Sequence, residues 1–296
     1  MNKLAGAFVT TGLLSFGTLA SGESIMSDSF ESGDKLSTSA YGFRWSTGTK
    51  VTSVVTADTE VFVTSPVNIP APETSQWEAK TGEHSLMLRY NPGKHWTEQR
   101  FSWSEPQPEI WMSFWLRVPT NYSHPEVDGA DNQKLFRIWM DGYGNKGEGS
   151  TVGTGFRGDG NGGSYFFVKV NKGDYQSTSH DIGKVPFITI PGDRGKWMHF
   201  VVHVKSESSA NADDGLLEIW RKWEGDSDYT QTHNLQNQPI KLSSKVKGFA
   251  AGYLMGYANA AYPVTTEFLV DDFELSTAPL FLNLNAPNAP SGLVIR

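Results

Sequence analysis

The chain has 296 residues, 38% of them apolar and 19% charged, with 30 Gly, 15 Pro, no Cys and a formal net charge of -7. This length suits one β-rich domain with a large core, and the Gly and Pro content argues against a helical bundle or a disordered chain. The charge and the absence of a long Lys/Arg run argue against a nucleic-acid partner, which needs a basic footprint. An acidic polymer stays admissible, since a few cations in one groove can outweigh a diffuse negative surface.

Residues 1–22 read as a secretory signal: Lys3, an apolar stretch to about Leu19, then the small residues Ala20-Ser21-Gly22. A secreted or periplasmic protein with no membrane attachment after signal removal is expected. Without cysteines its stability must come from packing or bound ions.

The expected domain spans residues 23–277. It opens on DSFESGD (residues 28–34) and closes near VDDFELS (residues 270–276). Pairing of the first and last strands would bring Asp28 and Glu31 near Asp271 or Asp272, around a structural Ca2+. Solvated strand-end carboxylates are the alternative. No organic cofactor is expected.

Between these ends, short apolar runs alternate with Gly, Pro, Asn and Asp clusters: EHSLMLRY, TEQRFSW, EIWMSFWLRV, KLFRIWM, SYFFVKVN, KWMHFVVHVK, LLEIWRKW, GFAAGYLMGY and TEFLVDDFELS. This many strands predicts an all-β sandwich or jelly roll. Residues 142–163 read as one glycine-rich loop, long enough to be a flap. Residues 278–296 read as a linker or tail whose APNAPSGLVIR resembles the opening of a fibronectin type III module.

Period-two alternation assigns faces. In EIWMSFWLRVP, Ile110, Met112, Phe114, Leu116 and Val118 suit the core, which leaves Trp111, Trp115 and Arg117 on the other side. By the same rule Trp96, Glu98 and Arg100 share a face, as do Gln133, Arg137 and Trp139, Trp197, His199 and His203, and Tyr253 and Tyr257. If one sheet face curves into a groove, all of these could line it.

No carboxylate triplet of the E-x-D-x-E type, no G-x-S-x-G and no Cys supports hydrolysis. The G-x-G-x-x-G match at residues 158–163 precedes a strand, not a helix, and is dismissed. The arginine-rich aromatic face suits a polysaccharide lyase, which removes the C5 proton of a uronate and expels the oxygen at C4. Arg100, Arg137 and Gln133 would neutralise the carboxylate. His199 or His203 would be the base and Tyr253 or Tyr257 the acid. Trp111, Trp115 and Trp139, with Arg117 and Lys134, would hold the sugar chain.

The motifs DSFESGD, GEHSLMLRY, TEQRFSW, MSFWLRVPTNY, NQKLFRIW, KWMHFVVHVK and DGLLEIWRKW follow, in order, a layout that resembles the heparinase-type and related polysaccharide lyases. The resemblance implies a concanavalin A-like β-jelly roll over roughly residues 28–276. It also implies substrate contacts from Tyr165 and Lys169, with Tyr175 and Gln176, because YFFVKVNKGDYQ loosely matches the alginate-lyase motif Y-F-K-A-G-x-Y-x-Q. That branch's R-[ST]-E-L-R is replaced by TEQRFSW, and its Q-[IV]-H has no counterpart.

The expected function is therefore lysis of an acidic, uronate-containing polysaccharide by a monomer. The alternative is a non-catalytic carbohydrate-binding module. An adhesion protein using the RGD at residues 157–159 ranks third.

Overall fold

The computed structural model describes residues 23–46, 51–58, 77–125, 133–142, 149–171, 177–241 and 245–280. The expected signal segment and residues 281–296 of the tail lie outside these, as do Tyr175 and Gln176. The strands are β1 (Ser24–Asp28), β2 (Arg44–Trp45), β3 (Thr52–Thr56), β4 (His84–Tyr90), β5 (Trp96–Gln107), β6 (Glu109–Arg117), β7 (Gln133–Met140) and β8 (Thr151–Gly158). They continue with β9 (Ser164–Asn171), β10 (Ser177–Ile188), β11 (Trp197–Lys205), β12 (Gly215–Trp223), β13 (Thr230–Gln238), β14 (Phe249–Tyr257) and β15 (Thr266–Ser276).

These strands form two antiparallel sheets, in the expected jelly-roll architecture. The back sheet runs β13-β12-β11-β6-β15-β4-β3, with β1 also paired to β15. The front sheet runs β10-β9-β8-β7-β14-β5-β2. Among the described residues no helix is long and apolar enough to cross a membrane.

The core lies between the sheets and takes the alternate residues that periodicity assigns to it. Ile110, Met112, Phe114 and Leu116 of β6 meet Phe200, Val202 and Val204 of β11, and Phe101, Phe136, Ile138 and Met140 close it from the front sheet. Each such side chain contributes about 1.5–3 kcal/mol relative to exposure. The end strands β10 and β13 were not legible as apolar runs, because strands at a sheet edge bury less surface and here carry polar sequences, STSHDIGKVPFI and TQTHNLQNQ.

The glycine-rich stretch is not one loop. Its middle is β8, whose Val152 and Phe156 enter the core. A Cβ on Gly153 would fall 2.3 Å from the Phe136 carbonyl oxygen and 2.7 Å from Cδ of Arg137. Glycine here marks a strand crossed closely by a neighbour's side chain. Arg157 of the RGD lies on this strand, its guanidinium 4.8 Å over the Phe167 ring. Asp159 accepts the Asn161 and Gly163 amides in the turn that follows.

A second correction concerns the groove. β6 and β11 pair with each other in the back sheet, in the register His203 with Trp111 and His199 with Trp115. Arg100, Lys134, Arg137, Trp139, Tyr165, Lys169, Tyr253 and Tyr257 all stand on the front sheet. The residues expected on one surface are thus divided between the two outer faces. Alternation tells which residues of a strand share a side, but not which sheet the strand joins.

Candidate functional site

The front sheet aligns its cations in one row. Tyr253 of β14 is directly opposite Arg100 of β5 on one side and Arg137 of β7 on the other. Arg137 in turn opposes Gly153 of β8, and Gly153 opposes Lys169 of β9. Gly153 has no side chain, so Arg137 extends across β8 toward Lys169.

A hollow of about 440 Å³ opens over this row, lined by Arg100, Lys134, Arg137, Trp139, Thr151, Asn171 and Tyr253. None of these seven is a carboxylate. Arg100 is ion-paired with Glu98, two residues earlier on the same face. Arg137 is different: its Nη1 is buried and makes no hydrogen bond among the described residues. A buried donor of this kind costs free energy unless something accepts from it. Burial and the nearby Arg137 hold the Lys134 ammonium below the usual lysine range. The Trp139 ring meets Tyr253 at 5.7 Å between centroids.

Gln133 is not part of this surface. A bulge between Lys134 and Phe136 shifts the alternation by one residue. Gln133 is thereby fully buried, and its Oε1 accepts from the Tyr262 hydroxyl at 2.7 Å. Lys134 takes the outward position instead, and the bulge is what the sequence pattern could not show.

The back-sheet residues are held as structure. Trp111 packs with Val201, Trp220 and Leu280, so the expected tail begins by covering this face. Trp115 packs against a cluster that includes Trp77 and Trp197, and its ring meets His199 at 4.7 Å. His203 stacks on Trp111 at 4.0 Å and 8°. Its Nδ1 meets Glu218 at 2.9 Å and its Nε2 meets Glu109 at 2.8 Å. Burial opposes the charged ring, but the two carboxylates outweigh it and raise the imidazolium's pKa. His199 meets the Tyr229 hydroxyl at 2.6 Å, and burial, helped by Lys222 and Lys80, pushes its pKa down to about 3.

Arg117 lines a second, larger hollow of about 630 Å³ on the back sheet. There Arg117 and Lys80 are offset by Asp58, Glu78 and Glu224. Mixed charge gives that hollow little selectivity for an anion, so the smaller front-sheet hollow is the candidate.

The four carboxylates expected to share calcium are engaged separately. Asp28 accepts the Phe30 amide at 2.8 Å and the Trp45 indole N–H at 2.7 Å. Glu31 accepts the His84 amide at 2.9 Å and the Glu83 amide at 3.1 Å. Asp271 accepts the Lys80 amide and the Ser85 hydroxyl at 2.8 and 2.9 Å, and Asp272 accepts the Thr81 hydroxyl at 2.6 Å. Burial and the adjacent Asp272 push Asp271 up to about 6. Among the described residues no three His, Asp or Glu side chains are grouped to hold a metal ion. These carboxylates anchor turns and strand ends through backbone and side-chain donors.

No protein-family model and no curated protein matches the sequence. Solved structures are similar in fold alone. They include a mutant of alginate lyase Aly36B in complex with alginate trisaccharide, at 15% identity over 67% of this chain and 85% of that one, with a TM-score of 0.48. Alginate lyase vAL-1 from Chlorella virus is 10% identical over 66% of this chain and 85% of that one, with a TM-score of 0.47. The receptor binding domain of botulinum neurotoxin type G is 14% identical over 85% of this chain and 47% of that one, with a TM-score of 0.45. A shared fold does not fix function, which has to be read from the site.

Proposed function

We propose that the front-sheet hollow binds a uronate-containing polysaccharide and that the protein cleaves it by β-elimination. The observation that carries this reading is the row of Arg100, Tyr253 and Arg137 at a hollow with no carboxylate among its described lining residues, where the Arg137 Nη1 has no acceptor among the described residues. Arg137 and Arg100 bind the substrate carboxylate and stabilise the enediolate that forms when the C5 proton leaves. Tyr253, between them in register, takes that proton in its deprotonated form. The C5–H electron pair becomes the C4–C5 double bond, the C4–O bond breaks, and the leaving oxygen recovers a proton from the same phenol. Export by way of residues 1–22 belongs to the same proposal, as it would bring the protein to polymers outside the cytoplasm.

One observation favours the second reading, a non-catalytic binder. Among the described residues no histidine lines the hollow, and both histidines expected to act as base belong to the back sheet. The two readings separate when alginate, glucuronan, heparin, chondroitin and ulvan are each incubated with the protein and followed by ultraviolet absorbance of the unsaturated product. For the polymer that responds, Tyr253→Phe is expected to lower turnover about 10²–10⁴-fold while retardation in a polymer-containing gel persists. Retardation by the wild type with no double-bond product would establish the binder instead.

A further inference from the structure

Among the described residues, two aromatic side chains outside the hollow stand out as exposed. Trp45, Trp77, Trp103, Trp111, Trp197 and Trp220 are at most 5% exposed, whereas Trp96 is 50% exposed and Tyr257 42%. Trp96 and Tyr257 are register partners on β5 and β14. Directly opposed residues of an antiparallel pair put their side chains on one face, with Cβ atoms about 5 Å apart.

The pair is held in place. The Tyr257 ring stacks on His95 at 5.3 Å and 12°. His95 donates from Nδ1 to the Ala258 carbonyl at 2.8 Å, which fixes the imidazole plane. The Lys134 ammonium lies 5.5 Å from the Tyr257 ring centroid, and Lys134 also lines the hollow. Platform and hollow therefore share a wall. Gly256 (φ +153°) permits this: a Cβ there would sit 3.0 Å from the Tyr253 ring and 3.2 Å from Cβ of Lys134.

Along β5, Trp96, Glu98 and Arg100 alternate onto the same face. Four residues of strand separate Trp96 from Arg100 by about 13 Å, more than one pyranose ring. We infer that Trp96 and Tyr257 form a ring-stacking subsite that holds a neighbouring sugar of the same acidic chain while its carboxylate-bearing neighbour occupies the hollow. The polymer then lies along β5 and β14, and Lys134 serves both positions. The apolar C–H face of a pyranose suits an indole and a phenol, and the adjoining cations supply the charge complementarity that selects an acidic glycan over a neutral one. This inference rests on the reading of the hollow given above.

The test compares wild type, Trp96→Ala, Trp96→Phe and Arg137→Ala in gels containing alginate, glucuronan or heparin, with monomeric glucuronate as competitor. Trp96→Ala is expected to weaken polymer affinity roughly tenfold, the loss of one favourable ring contact, and Trp96→Phe to recover most of it. The inhibition constant of glucuronate, which reaches the hollow alone, stays as in the wild type. Unchanged polymer affinity in Trp96→Ala, with affinity lost in Arg137→Ala, overturns the platform and leaves the hollow's reading standing. Wild-type affinity in Arg137→Ala, or no retardation of the wild type by any polymer, overturns both. If Trp96→Ala instead converts a sedimenting dimer to a monomer at constant polymer affinity, the rings cover a second copy and the glycan subsite is overturned.

Discussion

Arg137→Ala is expected to lower turnover of the cleaved polyuronate by about 10²–10³-fold, the usual cost of removing one donor aimed at developing negative charge. The fold should survive. Arg137 is half-buried on an outer sheet face, and its Nη1 gives the surrounding protein no hydrogen bond to lose. Its backbone stays paired with Tyr253 and Gly153 in the two flanking strands. Thermal melting within a few degrees of wild type, together with the lost turnover, is the expected pair of results. Arg137→Lys should recover only part of the rate, since an ammonium is a point charge and cannot offer a carboxylate two parallel donors. Turnover at the wild-type level in Arg137→Ala would remove this residue from the mechanism, and with it the observation on which the proposed function stands.

The second large effect belongs to stability and falls on the opposite face. His203→Ala is expected to cost about 2–4 kcal/mol, somewhat less than breaking a fully buried ion pair, because Glu109 on one side of the ring is partly exposed. The variant loses the stack on Trp111 and leaves Glu218 without its imidazolium partner. The pH dependence has a definite sign. His203 has a folded pKa above its ordinary value of 6.5, so its contribution is fully present below that pH and is lost as pH rises through the folded pKa. Urea unfolding between about pH 6 and 9 should show the gap between wild type and variant narrowing toward the alkaline end. Asp271, pushed up to about 6, costs stability as pH rises from 3.8 through about 6, but it is present in both proteins and so leaves the gap between them unchanged. At a temperature where the variant is folded, turnover on the front sheet should persist. A variant that melts like the wild type but has no activity would return His203 to the role of base.

These two residues also mark what a sequence of this kind can reveal. Alternation in EIWMSFWLRV, KLFRIWM and KWMHFVVHVK predicted the core faces, and the buried Phe114, Phe136 and Phe200 follow it. The reason is local: a strand sends successive side chains to opposite sides whatever surrounds it. The same rule placed Arg100 with Trp96, and Arg137 with Trp139, on outward faces. It failed at Gln133, where a bulge turned the residue inward. It also could not find β8, whose glycines look like a loop until Arg137 is seen crossing Gly153.

The chain by itself thus determined the nine strands that carry apolar runs, the two-layer core and the cationic, aromatic character of the exposed positions. Only the tertiary structure decided which strands are neighbours. That choice set Arg100, Tyr253, Arg137 and Lys169 in one row, and it sent Trp111, Trp115, His199 and His203 to the far side of the sandwich. Sheet membership depends on contacts between residues distant in sequence, such as Trp111 with His203 or Arg100 with Tyr253. A period of two within one strand carries no record of them.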